Sequence, residues 1–334
     1  VVGFSGGPDS LSLAIALGRM VPLGLFQPIL VHVDHRLRTG SADDADQAEG
    51  LAAGLGLPFC RRVLSTAPAL MHPGAGVEEA ARRERFAALA AVAAQREPAV
   101  VALAHHAGDQ AETILLHLLR GAGPGAGAGM AEVRSVPVPW WRDPDVAPVE
   151  TLIWRPLLMV PRDELQTYRE RCCPALRPVI DPSNDDDRFR RNAIRHHVLP
   201  VLESFSPGMS ERLARFAGLV EDEEAWLDTL TDEAIAHCRS EDGMLVVSCL
   251  RALPRPLLRR VVRASLVATG EPVVVPSAER TEAIVRAVER GRGGATIQVG
   301  EGVVARVVGG LLRVERAQDT SGRDSRAADE GDPG

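Results

Sequence analysis

Two glycines, two hydroxyls and a carboxylate follow one another in Ser5-Gly6-Gly7-Pro8-Asp9-Ser10, between an apolar run and the start of a helical pattern. Glycines let backbone amides approach an anion closely, and a helix N-terminus adds unpaired N–H groups and the positive end of its dipole. The hydroxyls of Ser5 and Ser10 add donors. This set is a cradle for polyphosphate. Asp9 would repel phosphate unless a divalent cation bridged them, so magnesium is expected with the anion.

Other candidates lie farther along. Val31-His32-Val33-Asp34-His35 ends an apolar run, and Asp34 there suits either a magnesium or adenosine contact or a simple capping carboxylate. His32 alternates inward as a packed residue, and His35 falls in the loop as the better contact. Ala104-His105-His106-Ala107-Gly108-Asp109-Gln110-Ala111-Glu112-Thr113 opens another helix, where Asp109 and Glu112 suit the N-terminal dipole or a site. The adjacent histidines lack a third ligand at zinc spacing. Glu78, Arg82 and Arg85 recur at near-helical spacing, which fits a solvated charged face as readily as a binding one.

The elements that must position these residues alternate between β-branched runs and helical patterns. Strands are expected at 1–4, 29–34, 59–64 and 100–104, with helices to about 17, through 50, and over 77–94. That is an α/β pattern of βαβ units, a parallel sheet covered by helices on both faces. Ligands of such sheets bind at the carboxyl ends of the strands, where Ser5, Asp34 and His105 all fall. Gly121 to Pro139 reads as a long flexible loop. A helix over about 210–237 reads as a connector, its apolar stripe belonging to the core. Beyond it, helices at 257–266 and 278–289 and short strands at 295–299, 303–308 and 311–314 form a small α+β domain. The expected divisions are 1–200, 201–316 and a disordered polar tail, 317–334.

Bulk properties narrow the classes. All 38 basic residues are arginine, which excludes a Walker-type phosphate loop and any Schiff-base lysine. The net charge of −7 argues against a wholly basic nucleic-acid-binding surface and leaves room for a local patch. No run of eighteen apolar residues occurs, so no membrane partner is expected, and the first residues show no signal core. The five cysteines lack metal spacing and are expected to be free thiols in the cytoplasm, with Cys172 and Cys173 packing at a helix end.

Taken together, these blocks resemble the tRNA(Ile)-lysidine synthetases, within the PP-loop ATP pyrophosphatase superfamily (adenine nucleotide alpha hydrolase-like fold). The resemblance runs from Ser5–Ser10 through His32–Arg38, the Glu78/Arg82/Arg85/Phe86 helix, Ala104–Gly123, Arg155–Leu158 and Asp181–Asn184 to Arg190–Pro200. It implies an ATP-dependent carbon–nitrogen ligase that adenylates the wobble cytidine of tRNA(Ile) with a CAU anticodon, releases pyrophosphate, and lets L-lysine displace AMP. On that resemblance Asp9, Asp34 and Asp109 are the catalytic carboxylates, with magnesium on Asp9 and Asp109. ATP lies on Ser5, Gly6, Gly7, Pro8, Asp9, Ser10, His35, His105 and Arg82. The tRNA meets Arg85, Glu112, Arg120, Asn184, Arg190, Arg191, Asn192 and Arg195, with Arg188 in the same basic patch. A homodimer is compatible with this reading. The chain departs from the family at Gly108, where an aspartate is usual, and at Ala193, where a basic residue is frequent.

Two other readings stay open at this point. A related tRNA thiolase would use the same loop, but such enzymes usually need paired catalytic or cluster-binding cysteines, and none here lies in a CxxC arrangement or beside the phosphate loop. A non-catalytic tRNA- or nucleotide-binding relative is motivated by Gly108.

Overall fold

The computed structural model describes residues 1–36, 40–96, 100–139, 141, 148–181, 186–268, 277–291, 294–300 and 303–316. The expected site residue Asn184 and the tail 317–334 lie outside them. Contacts divide the chain into Val1–Asp222 and Glu223–Gly334.

The first unit is built on a six-stranded sheet. Its strands are β1 (Val2–Gly3), β2 (Leu30–Asp34), β3 (Phe59–Val63), β4 (Val101–Ala102), β5 (Val133–Val138) and β6 (Val149–Trp154), in the order β3-β2-β1-β4-β6-β5. All neighbours run parallel except β5, which pairs antiparallel with β6 at the edge. Strand side chains alternate between two cores. Val2, Leu30 and Ala102 face one that includes Leu11 and Ile15 of helix α1 (Pro8–Met20) and Ala48 and Leu51 of α2 (Ser41–Gly54). Val31, Val101 and Ile153 face the other, with Phe86 and Leu89 of α4 (Val77–Ala93). Period-two alternation between apolar layers is what a sheet covered on both faces requires. Helix α3 (Pro68–Met71) is a single turn before α4.

Helix α1 is buried along most of its length, so its polar residues need partners. Ser12 Oγ donates to Pro8 O at 2.9 Å and to Leu165 O of α6 (Arg162–Cys172) at 3.2 Å. Cys172 and Cys173 pack at the end of α6, as expected.

The chain proceeds from β1 to β2 and β3 on one side, then returns to place β4 on the other side of β1. Parallel strands whose connections diverge leave a crevice at their carboxyl ends. The loops after β1 and β4, which carry Ser5–Gly7 and Ala104–His106, border that crevice.

The expected flexible loop over 121–139 is corrected by the structure. It contains a 3-10 turn, Pro124–Ala128, and the strand β5. Gln110 clasps it: Nε2 donates to Met130 O at 2.8 Å and Ala128 O at 3.3 Å, and Met130 N donates to Oε1 at 2.8 Å. Glycine and proline composition concealed this because the order comes from a distant buried amide and from β6 pairing.

After α5 (Ala107–Leu119), α6 and the loops that follow, a short helix α7 (Arg190–Ala193) passes into a π turn, Ile194–Val198, then α8 (Leu199–Phe205) and α9 (Met209–Cys238). The second unit has its own core, with an antiparallel sheet ordered β7-β10-β9-β8. The strands are β7 (Leu245–Val246), β8 (Ala295–Gly300), β9 (Val303–Val308) and β10 (Leu311–Arg316), beside α10 (Val247–Ala252), α11 (Arg255–Ala268) and α12 (Ala278–Arg290). Cys238 and Cys249 form a disulfide with Cα atoms 5.4 Å apart, which corrects the expectation of five free thiols. Spacing alone could not show that the end of α9 folds back onto α10.

Candidate functional site

The phosphate loop is shaped from inside. Gly6 has φ +78°, and a Cβ there would lie 2.7 Å from Val179 Cγ2, so both its conformation and its space require glycine. Val179 N donates to Gly6 O at 2.9 Å, fixing the loop to a later segment. Gly7 precedes α1 without a side-chain cap, and Pro8 occupies the start of the helix, where its missing N–H costs nothing. Ser5 Oγ lies 3.1 Å from Ser10 Oγ, and Ser10 Oγ donates to Gly7 O at 3.1 Å. The start of α1 therefore offers backbone amides, with the Ser5 hydroxyl exposed beside them and the Ser10 hydroxyl buried against Gly7 O.

Across the crevice, His106 caps α5. Its Nδ1 accepts the Gly108 N–H at 3.0 Å, and its backbone N–H donates to Asp109 Oδ2 at 3.0 Å. Nε2 lies 3.5 Å from Asp109 Oδ2 and 3.8 Å from Asp9 Oδ2, so two carboxylates from different helices converge on one ring nitrogen. Burial alone would raise the Asp109 pKa. The imidazoles of His106 and His105, Arg191 and the His106 N–H outweigh it and hold the carboxyl below its usual range. Two hard oxygen donors facing a phosphate loop match magnesium, which is usually shared between one or two carboxylates and substrate phosphates. Among the described residues no cluster of three or more metal-ligating side chains occurs, so a cation here would be completed by phosphate.

Asp34 is buried at the end of β2. Oδ1 accepts Arg36 N–H at 3.0 Å and Oδ2 accepts Arg61 Nη2 at 3.5 Å. Burial opposes ionisation, but Arg36, Ser41 and Arg61 prevail and lower its pKa. These contacts are those of a carboxylate closing its own loop, the capping use its position allowed. His32 packs inward with Nδ1 3.0 Å from Phe4 O.

His35 and His105 are different. Both ring nitrogens of His35 and Nδ1 of His105 are buried without a hydrogen-bond partner among the described residues. Burial, reinforced by Arg85 and His32, lowers His35 to about 4. Burial lowers His105 to about 3, with Arg155, Arg191 and Arg85 adding to it and Asp109 opposing. Both are neutral at physiological pH and retain acceptor capacity. Orphaned buried polar atoms are rare enough to call for a ligand or a water.

Arg155, whose role was not expected from the sequence, is buried. Its Nη1 donates to Ala131 O at 2.7 Å, and Nε has no partner among the described residues. Burial and the nearby Arg82 and Arg134 lower its pKa to about 10, leaving it charged. Arg82 itself is exposed, donates to Glu79 Oε2 at 3.3 Å and lies over the Phe86 ring. Arg155, Arg191 and Arg85 add positive charge around His105, opposed by the nearby Asp109.

The expected RNA-facing set divides into two. Glu112 is 1% exposed and accepts Arg191 Nε at 3.0 Å, Arg195 Nε at 2.6 Å and Arg195 Nη2 at 3.0 Å. Arg191 Nη2 also donates to Thr113 Oγ1 at 2.9 Å. Asn192 is buried, with Nδ2 donating to Asp186 O at 3.0 Å. Glu112, Arg191 and Arg195, expected to face RNA, are joined to one another here and hold α7 and the π turn onto α5, while Asn192 ties α7 to the segment just before it. A charge pattern on the helix could not show this, because its partner lies about eighty residues away in sequence. Arg188 pairs with Asp186, Nε donating to both carboxylate oxygens at 3.0 Å and Nη2 to Oδ2 at 2.7 Å.

Arg120 and Arg190 remain exposed, and neither has a partner among the described residues. They border an apolar groove of about 280 Å³ floored by Leu116, Ile194 and Val198. Arg85 is exposed on α4. His106, the ring on which the carboxylates converge, was signalled only by the adjacency of two histidines.

Residues 1–202 match the model of the PP-loop domain, and residues 245–312 match the TilS substrate binding domain. A tRNA(Ile)-lysidine synthase of Chromobacterium violaceum is 39% identical over 83% of this chain and 59% of its own length. Those of Thermobifida fusca and Streptomyces coelicolor are 36% and 37% identical, over 88% and 95% of this chain and 84% and 85% of theirs. The chain therefore spans 59% of the Chromobacterium relative and most of the other two. Among solved structures, the U34-tRNA thiolase NcsA of Methanococcus maripaludis aligns with a TM-score of 0.49 and 18% identity over 66% of this chain and 71% of that one, too distant to bear on activity. With its PP-loop and substrate-binding matches in order and relatives alike over most of both chains, this chain belongs to the tRNA(Ile)-lysidine synthase family.

Proposed function

We propose that the chain ligates L-lysine to the wobble cytidine of tRNA(Ile) bearing a CAU anticodon, using ATP and magnesium in the cytoplasm. The supporting observation is the approach of Asp9 and Asp109 to His106 Nε2 opposite the glycine loop. In the first half-reaction cytidine bonds to the α-phosphorus and the α–β P–O bond breaks, releasing pyrophosphate. In the second, the lysine amine bonds to the activated cytidine, loses a proton and expels AMP.

The chain's contribution is mainly positioning and charge compensation, which phosphoryl-type transfer principally needs. Ser5, Gly6, Gly7, Pro8 and Ser10 hold the departing pyrophosphate. Asp9 and Asp109 would hold magnesium, which when bound neutralises phosphate charge. Neutral His35 and His105 accept hydrogen bonds from the nucleotide, and Arg82 faces its phosphates. Asp34, tied to Arg36 and Arg61, fixes the carboxyl end of β2 beside the nucleotide. Arg85, Arg120 and Arg190 face tRNA, while Glu112, Arg191, Asn192 and Arg195 support the wall behind Asp109. Domain limits of 1–200 and 201–316 accompany this reading, with the second part on tRNA. A homodimer is the assembly it allows, and no helix among the described residues is long and apolar enough to cross a membrane.

The test is pyrophosphate release from ATP with magnesium and an unmodified CAU-anticodon tRNA(Ile), with and without lysine. Lysine incorporated into the RNA supports the reading. Nucleotide binding without turnover would favour the non-catalytic relative, and turnover requiring a sulfur donor would favour the thiolase.

A further inference from the structure

Glu112, Leu116, Leu119 and Arg120 stand at i, i+4, i+7 and i+8, so they fall on one stripe of α5 and its C-cap. The stripe begins closed, with Glu112 locked to Arg191 and Arg195. Farther along it is open. There Leu116, Leu119 and Arg120 face Arg190, Ile194 and Val198 across the groove of about 280 Å³. The floor belongs to a packed core, since Ile194 is buried with Ala111 and Leu199. The outer wall is bare: Leu119 is 74% exposed and Val198 37%. A lone exposed leucine means little, but adjoining apolar side chains around a formed groove mark a contact surface.

The rim selects the occupant by charge. Arg120 and Arg190 are exposed without a partner among the described residues, and no carboxylate among them lines the groove. The lining imidazole of His197 is engaged, with Nε2 2.7 Å from Asp187 Oδ2. In a chain of net charge −7, two free guanidiniums beside an apolar cleft match a molecule that is anionic along its edge and flat in its middle. A nucleotide of single-stranded RNA has that form, because RNA loops are bound through unstacked bases and through basic side chains on the phosphates. The cleft has room for one ring system and not for an α-helix, about 10 Å across.

The groove is also near the crevice. At about 1.5 Å per residue, Leu116 to Arg120 lie about 10–17 Å along α5 from Asp109. We infer that it is a second base subsite: it seats an unstacked base close to the wobble cytidine in the anticodon loop, and Arg120 and Arg190 hold the flanking phosphates. Its lining offers few hydrogen bonds, so the subsite responds to an unstacked base and not to which base it is.

This inference rests on the proposed tRNA reading. Its test is equilibrium binding of the full chain to unmodified CAU-anticodon tRNA(Ile), read by fluorescence anisotropy. Each loop nucleotide other than the wobble cytidine is made abasic in turn. One abasic position is expected to weaken binding about tenfold, near the low end for loss of a stacked base, while exchanging that base for another has a much smaller effect. Leu119→Glu sets a carboxylate in the groove. It should weaken binding of the intact tRNA about tenfold and remove the further loss at that same abasic position. Leu118→Glu adds the same charge next door, at a residue 60% exposed and outside the groove, and should bind close to wild type.

If the wild-type chain bound no tRNA, the tRNA reading would fail and the subsite with it. With wild-type binding intact, the subsite alone falls if Leu119→Glu binds as wild type does, if Leu118→Glu loses as much, or if every abasic position keeps its effect in Leu119→Glu. Sedimentation of the same proteins tests the other occupant: a wild-type dimer that Leu119→Glu dissociates, with RNA affinity unchanged, would assign the groove to a second copy of the chain and overturn the inference.

Discussion

Arg195 grips both oxygens of Glu112, from Nε at 2.6 Å and Nη2 at 3.0 Å, while the same Nη2 reaches Asp109 Oδ1 at 3.3 Å. One guanidinium therefore joins the buried anchor of α5 to a carboxylate at its N-terminal end.

Glu112→Gln keeps the shape and removes the charge, leaving Arg191 and Arg195 without their main counter-ion. Breaking a buried pair from one side typically costs 3–5 kcal/mol. Because the two arginine side chains retain 29% and 26% exposure, about 2–3 kcal/mol is expected after discounting for solvent. Urea unfolding of wild type and variant measures it, and an unchanged midpoint contradicts the anchoring role.

Gly6→Ala meets a φ of +78° and a contact of 2.7 Å with Val179. A left-handed alanine costs about 1–2 kcal/mol before the collision is counted. ATP-analogue binding by calorimetry should fall well below that of the wild type, whereas Gly50→Ala, in open space on α2, should leave it unchanged.

His35 and His105 lie at about 4 and 3 against an ordinary 6.5. For such groups the native state binds fewer protons than the unfolded chain. The stability they contribute is fully present above about pH 6.5 and is lost as the pH falls towards 4 and then 3, at up to about 1.4 kcal/mol per pH unit for each. Unfolding free energies between pH 8 and 4 should show this slope, and NMR of the two ring protons should show no titration near 6.5.

Arg120 and Arg190 are exposed cations of the set expected to meet tRNA, without a partner among the described residues. Joint replacement by glutamate should weaken tRNA binding and make the plot of log affinity against log salt less steep by at least about 1.4, two phosphate contacts' worth. Arg191→Ala should act mostly through stability, and a salt slope altered as strongly as in the double variant would return Arg191 to the RNA-facing set.

The disulfide closes a short loop, with a sequence separation of 11 residues. Chain-entropy reasoning gives about 2–3 kcal/mol of stabilisation for a loop of this size. Mass spectrometry after alkylation should find three reactive cysteines without reductant and five with it, and five in both conditions would refute the pairing.

Much of the architecture was legible because it follows from local patterning. The apolar runs before Ser5 and at 30–34, and the shorter one opening at Phe59, became parallel strands, and the glycine loop stood out because few other sequences meet its conformational demands. Edge strand β5 was not legible. Its valines are interrupted by Pro137 and preceded by a glycine-rich stretch, and its order depends on Gln110 and β6. The site was readable to the level of which loops converge. Which charged groups face one another was not: Arg191 and Arg195 look like a binding patch in one dimension, and only the fold brings them to Glu112. His106 was similarly indistinguishable from its neighbour until the direction of its ring was known.

Helix α5 also limits how this protein can change over generations. Within nine residues it carries Asp109 towards His106 at the crevice, Gln110 towards the 121–139 segment, Glu112 towards Arg195 and His117 towards Ala126. Successive helical residues diverge by about 100°, so inserting or deleting one between Gln110 and Glu112 would swing everything beyond it away from its partner. Point substitutions here are separable lesions, whereas a change of length would detach several walls of the crevice together, so length variation among descendants of this chain should accumulate in its loops and spare this helix.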